Sequence, residues 1–168
     1  VMLELLEAAG VPDIHLDLGN AAIFRTLAGG AGLDADTREA VFVALQRKAG
    51  DEVIALLDNC PEADPAYLEM LRALPGLNGS LSVLDDARQI LHRGGSAISA
   101  AIDKLSRLAD VIGRRQTAPT IHVDLAELRG YRYHPGIVFS AFTPGYGQEI
   151  ARGGRYDDIG GAFGRARP

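Results

Sequence analysis

The most informative segment of this chain reads Leu128-Arg129-Gly130-Tyr131-Arg132-Tyr133-His134-Pro135-Gly136-Ile137-Val138-Phe139. It places arginines, tyrosine hydroxyls and bare glycine backbone beside a run of strand-forming residues. An arginine binds a carboxylate through its planar fork of donors, and a tyrosine offers a flat apolar wall with a polar tip. A second segment, Arg152-Gly153-Gly154-Arg155-Tyr156-Asp157, follows shortly afterwards. Together the two segments predict a pocket for a small zwitterionic molecule.

The residues around these segments predict strands. Residues 121–125 alternate apolar and polar side chains, and residues 137–142 are rich in strand formers. Residues 144–147 lie where a hairpin turn belongs, so that residues 149–152 form the returning strand. Near the N-terminus, residues 14–18 nearly match residues 121–125. We interpret these two similar segments as strands of one sheet.

Between these strands the pattern is helical. Residues 36–115 carry apolar side chains at helical spacing, divided into five pieces by proline and glycine. We expect Asp36 or Thr37 at the start of the first piece, Ser96 as the N-cap of the longest, and Asn20 as the N-cap of a helix before the block. Strands on both sides of a helical block predict an α+β domain with a helical insertion at about residues 36–115.

The composition excludes several classes of protein. The chain has 168 residues, 47% of them hydrophobic and 23% charged, which is typical of a globular domain. A net charge of -5 gives no electrostatic reason to expect nucleic acid as a partner. No apolar run approaches the roughly 20 residues that span a bilayer, so no membrane partner is expected. The single cysteine, Cys60, favours a reducing, cytoplasmic location.

No cofactor or metal is expected, because no His or Cys spacing resembles a zinc site and no phosphate-loop or dinucleotide fingerprint is present. The chain opens at Val1 inside an apolar helical run and closes just after a glycine-rich stretch. We therefore expect it to be an internal piece of a longer protein.

The two segments quoted above resemble the histidine-specific motifs of histidyl-tRNA synthetases, which line the histidine pocket of a class II synthetase catalytic domain. Their details are more similar to a paralogous family, the regulatory subunit of ATP phosphoribosyltransferase. That family shows Leu-Arg-Gly-Tyr-x-Tyr-His-x-Gly-x-Val-Phe, which matches residues 128–139, and an ending similar to residues 160–168, within a second matching stretch at residues 153–168. The resemblance covers the whole fragment and is least specific in the helical block.

The resemblance implies a fold and a site. The fold is a class II aminoacyl-tRNA synthetase-like antiparallel sheet with flanking helices, incomplete in this fragment, in which residues 1–168 are part of one catalytic-type domain. The implied site binds histidine and has no catalytic residues. By resemblance, its ligand-binding residues are Arg129, Tyr133, Gly153, Gly154 and Tyr156.

Three departures from the synthetase pattern lie beside this site. Arg132 stands where the synthetase has aspartate, which reverses a charge, and His134 stands where it has a second tyrosine. Ser140 stands where a glutamate follows Val-Phe. A site that must recognise an imidazole and also drive adenylate formation is not expected to survive these changes. Carboxylate binding by Arg129 is expected to persist.

The resemblance therefore implies a non-catalytic regulatory subunit of ATP phosphoribosyltransferase, which acts at the first step of histidine biosynthesis. Its partners would be a short-form catalytic subunit, in a hetero-oligomer, and histidine as the feedback effector. The resemblance leaves open whether histidine binds in this pocket or at the subunit interface. One alternative is a divergent histidyl-tRNA synthetase that activates histidine with ATP. Another is an unrelated helical interaction module, which the two linked motifs disfavour.

Overall fold

The structure is a computed structural model that describes residues 1–115, 118–128 and 136–154. Those residues form helices and strands in the following order: α1 (Met2–Ala8), β1 (His15–Asn20), α2 (Ala21–Gly30), α3 (Ala35–Gln46), α4 (Gly50–Asp58), α5 (Pro65–Ala73), β2 (Asn78–Gly79), α6 (Val83–Ile90), α7 (Ser96–Gly113), β3 (Thr120–Asp124), β4 (Ile137–Phe142) and β5 (Ala151–Gly154). Short 3-10 turns lie at Leu74–Gly76 and His92–Gly94.

The strands form one sheet in the order β2-β3-β1-β4-β5. The central strand β1 pairs in parallel with β3, and every other pairing between the described strands is antiparallel. The prediction that the two similar segments belong to one sheet is confirmed. The sheet is mixed, whereas the resemblance implied an antiparallel one. A parallel pair needs a long crossover connection, and the helices between β1 and β3 supply it.

One face of the sheet is part of the main core. Leu16 and Leu18 on β1 and Val123 on β3 are buried in a cluster that also contains residues from most of the helices. Leu18 lies opposite Val123 and Phe139 in the pairing register. Helix α7, the longest, packs on β1. Apolar burial on this face fixes which residues of β1 point to the other face, because side chains alternate along a strand.

The helical content of residues 36–115 agrees with the sequence pattern, since five helices, α3 to α7, occupy this block. The strand β2 within it was not expected. It has only two residues, Asn78 and Gly79, which pair with Asp124 and Val123, and so short a strand leaves no alternation in the sequence. That this block is an insertion in a larger domain stays a prediction. No helix in the described ranges is long and apolar enough to cross a membrane.

One predicted helix start is close and one predicted helix cap is wrong. Helix α3 begins at Ala35, one residue before the predicted Asp36, and Asp34 caps it, because its carboxylate accepts hydrogen bonds from the Thr37 backbone N–H at 2.9 Å and from the Thr37 hydroxyl at 2.8 Å. Helix α7 begins at Ser96 itself and has no side-chain cap. The residue before it is Gly95, with φ of 80°, a left-handed conformation that favours glycine.

The predicted cap at Asn20 is confirmed, and the residue also joins the sheet to the helical block. Its Oδ1 accepts a hydrogen bond from the Ala22 backbone N–H at 3.1 Å. Its Nδ2 donates to the carbonyl of Ala101 on α7 at 3.2 Å. The side chain is buried, 1% exposed, so both of its polar ends need these partners.

Candidate functional site

Two of the five predicted ligand-binding residues lie within the described part of the chain. Gly153 and Gly154 are on the edge strand β5, opposite Phe139 and Val138 of β4. A Cβ atom added to Gly153 would lie 2.7 Å from Cζ of Phe139, so this position has no room for a side chain. Arg129, Tyr133 and Tyr156, and the altered positions Arg132 and His134, fall outside the described residues.

Polar side chains occupy one register level across four strands. His122 on β3 lies opposite Asp17 on β1, Asp17 lies opposite Ser140 on β4, and Ser140 lies opposite Arg152 on β5. Residues directly opposite each other in a sheet project to the same face. We call His122, Asp17, Ser140 and Arg152 the polar row. It lies on the face opposite to Leu16 and Leu18.

The polar row presents a different chemical group on each of its four strands. Nδ1 of His122 is 3.3 Å from Oδ1 of Asp17, which forms an ion pair when the imidazole is protonated. Ser140 is buried, and Arg152 at the edge is exposed and 3.3 Å from Glu149. The row therefore offers an imidazole, a carboxylate, a hydroxyl and a guanidinium side by side. The imidazole, the carboxylate and the guanidinium are at least partly exposed and can contact a ligand that carries both signs of charge, whereas the hydroxyl of Ser140 is buried.

Among the described residues, the order of these groups does not form a Ser–His–Asp triad around Ser140. In such a triad the histidine lies within hydrogen-bond reach of the serine, with the carboxylate behind that histidine. Here Asp17 lies between Ser140 and His122, which are two strands and roughly 10 Å apart. Among the described residues, the row is therefore suited to binding and not to acyl transfer.

A turn covers one end of this face. A Cβ on Gly19 would lie 2.8 Å from Cβ of Glu127 and 2.9 Å from the carbonyl oxygen of Asp124. Gly19 projects to the same face as Asp17, because the two are separated by one residue along β1. Residues 124–128, which we call the covering turn, therefore pass directly over Gly19. The turn ends at the buried Leu128, the residue before Arg129 in the sequence.

Lys48 holds the covering turn from the side of the helical block. Its Nζ forms an ion pair with Oδ2 of Asp124 and donates a hydrogen bond to the carbonyl of Ala126 at 3.2 Å. The other carboxylate oxygen of Asp124 accepts from the Ala126 backbone N–H at 2.9 Å. Beside this contact lies a cavity of about 430 Å³ whose lining includes His122.

The opposite face of the sheet has a cavity of different character. It has a volume of about 550 Å³ between α1, α7 and the sheet, and its lining includes Leu16, Leu18 and Phe139. Arg115 is the one charged side chain in its described lining, and it pairs with Glu7 at 3.1 Å. This apolar cavity lacks the groups that would recognise a zwitterion, so we place the candidate site on the polar face.

Among the described residues, no group of three or more His, Cys, Asp or Glu side chains could hold a metal ion. Cys60 is a free thiol whose Sγ lies 3.4 Å from the carbonyl of Leu56, one turn earlier in α4.

Comparison with known proteins shows which family this chain matches. The model of the family described as histidyl-tRNA synthetase matches residues 1–168. A relative named ATP phosphoribosyltransferase regulatory subunit, from Azotobacter vinelandii, is 52% identical over the whole of this chain. One of the same name from Pseudomonas syringae pv. tomato is 51% identical. The chain spans 42% of the length of each of these relatives, so it corresponds to a piece of them.

Solved structures show the same fold at lower identity. A Bacillus halodurans protein described as an ATP phosphoribosyltransferase regulatory subunit/histidyl-tRNA synthetase matches 98% of this chain and 43% of its own, with a TM-score of 0.82 and 19% identity. A chain of a Thermotoga maritima ATP phosphoribosyl transferase (HisG:HisZ) complex matches 95% of this chain and 55% of its own, with a TM-score of 0.66 and 15% identity. These likenesses confirm the predicted synthetase-like fold.

Proposed function

Because this chain belongs to the histidyl-tRNA synthetase family, we propose that it is part of a non-catalytic regulatory subunit of ATP phosphoribosyltransferase. The observation that carries this proposal is the identity of about half of all its residues with relatives of that name. The protein would act in the cytoplasm, at the first step of histidine biosynthesis.

We propose histidine as the effector and the polar face as its binding site. Arg129 would bind the carboxylate of histidine, and Tyr133 and Tyr156 would form the walls of the pocket. Gly154 alternates to the same face as Arg152 and would leave room for the ligand, and Asp17 would supply the negative charge that attracts its ammonium group. Gly153 projects with Phe139 to the opposite face, where it makes room for the ring of Phe139. To regulate, histidine must bind one arrangement of the assembly more tightly than another.

We propose a short-form ATP phosphoribosyltransferase catalytic subunit as the partner in a hetero-oligomer. A chain of the same fold occurs in the Thermotoga maritima complex, which supports this choice. The test is to mix the full-length protein with such a catalytic subunit and to measure phosphoribosyl transfer with and without histidine. We expect activation by the full-length protein and inhibition by histidine. Absence of activation would contradict the regulatory role.

The proposed ligand has its own test in the variant Arg129→Ala of the full-length protein. Loss of a charged partner of a carboxylate should weaken histidine binding by roughly tenfold or more, as measured by calorimetry. Arg107→Ala, on the exposed surface of α7, is the control and should bind histidine as the wild type does. An unchanged affinity in Arg129→Ala would place the effector elsewhere.

A divergent histidyl-tRNA synthetase is the second candidate, and the description of the matching family model favours it. Its first reaction joins histidine to ATP and releases pyrophosphate. Histidine-dependent exchange of pyrophosphate into ATP by the full-length protein would support it. Because Ser140 replaces the glutamate of the synthetase pattern, we expect no exchange.

A further inference from the structure

Lys48 has an unusual backbone conformation for a lysine. It follows Arg47, the C-cap of α3, and its φ is 58°, in the left-handed region. Glycine, and sometimes asparagine, is the residue that normally ends a helix in this conformation, because a Cβ atom is disfavoured there. Local backbone preference therefore does not explain a lysine at this position, but the partners of its side chain do.

Those partners lie on the covering turn. The carboxylate of Asp124 is 8% exposed, and its two oxygens bind Lys48 Nζ and the Ala126 backbone N–H. Lys48 Nζ also binds the Ala126 carbonyl. Removing the cation would leave a buried carboxylate without its counter-charge, which is strongly unfavourable unless the carboxylate moves towards water. Such a movement would displace the backbone of the turn.

Movement of the covering turn would reach the polar face. Glu127 in the turn lies against Gly19, with no space for even one additional atom between them. Gly19 projects to the same face as Asp17 of the polar row. The turn also fixes the point from which the chain enters the segment that starts with Arg129, because Leu128 is fully buried.

We infer that Lys48 is a positioning residue for the ligand face, acting through Asp124 and the covering turn. The inference rests on the proposed function, in which histidine binds to this face. Under this inference the helical block influences the affinity for histidine through Lys48, although Lys48 does not contact the ligand. A change in the α3–α4 connection, where Lys48 lies, then alters the affinity for histidine.

The test uses the full-length protein with two substitutions at Lys48. Lys48→Gly removes the ion pair and suits the left-handed backbone, so it should fold. Lys48→Met removes the ion pair and keeps a long side chain. Lys104→Met, on the exposed surface of α7, is the matched control because it removes the same charge elsewhere. Calorimetry measures the affinity for histidine, and hydrogen–deuterium exchange measures the protection of residues 124–128.

We expect both Lys48 variants to bind histidine about fivefold or more weakly and to exchange faster in the covering turn, with Lys104→Met unchanged. If the turn exchanges faster while histidine binds as tightly as to the wild type, Lys48 is merely structural and the inference is overturned. Unchanged exchange overturns it as well. Failure of the wild-type protein to bind histidine would instead overturn the proposed ligand.

Discussion

Gly153, a residue of the second motif segment, occupies a position with no room for a side chain. A methyl group there would meet the ring of Phe139 at 2.7 Å, so the strand or the ring must shift. We expect Gly153→Ala to lower the free energy of unfolding by about 1–3 kcal/mol, as for other overpacked positions. Urea unfolding of the variant measures it. Gly147→Ala, which would meet no atom within 4 Å, is the control, and equal stability of the two variants would contradict the steric argument.

The polar row shows why sequence alone could not predict the site at the level of residues. Matching the similar segments in sequence aligns Ile14 with Ile121, which would place Asp17 opposite Asp124. The structure shifts the pairing by two residues, so that Leu16 lies opposite Ile121 and Asp17 lies opposite His122. Two carboxylates directly opposite each other repel, whereas a carboxylate and an imidazole attract. The charges of the side chains that face each other across β1 and β3 would therefore have indicated the correct register.

At the scale of elements, Asp34 stabilises the start of α3 in a pH-dependent way. The hydrogen bonds from the Thr37 backbone N–H and hydroxyl lower the pKa of this carboxyl from its ordinary value of 3.8. A lowered pKa in the folded state means that the stabilisation is complete above pH 3.8 and is lost as the pH falls through the folded value. We therefore expect Asp34→Ala to lower Tm at neutral pH, by an amount that shrinks in strong acid.

Asp34→Asn separates the hydrogen bond from the charge, because asparagine also caps a helix but does not titrate. Its Tm, relative to that of Asp34→Ala, should show no such dependence on pH. A constant difference between wild type and Asp34→Ala down to strongly acid pH would contradict the assignment. The helices themselves and the cap at Asn20 were predictable from the sequence, but the cap of α3 was not, since several acceptor residues lie close together at its start.

At the scale of the whole molecule, Asn20 connects the sheet to the helical block. Replacement by aspartate keeps the acceptor for Ala22 but sets a buried negative oxygen against the carbonyl of Ala101. We expect Asn20→Asp to lower the free energy of unfolding by about 3 kcal/mol, measured by urea unfolding. Asn59→Asp is the matched control, because it loses an equivalent bond to the Ala55 carbonyl on the exposed surface. A comparable loss in both would show that burial is not the cause.

The α+β class, the pairing of the two similar segments and the five-helix block were all predictable, because each depends on periodicity that the sequence displays. The mixed sheet was not, since the direction of pairing depends on how the chain returns after residue 115. Strand β2 was also missed, because two residues carry no period. Global arrangement therefore depends on contacts between segments that are far apart in the sequence.

The central position of β1 sets the entropy cost of assembling this chain. Its two neighbours in the sheet, β3 and β4, begin at Thr120 and Ile137, so a loop of residues 21–119 must close for the first pairing and one of residues 21–136 for the second. Closing a long loop is entropically unfavourable, whereas the contacts between successive helices are local. The polar row, which needs four strands in register, therefore depends on two pairings of high contact order, β1 with β3 and β1 with β4, and only a piece that includes both Asp17 and Arg152 contains it.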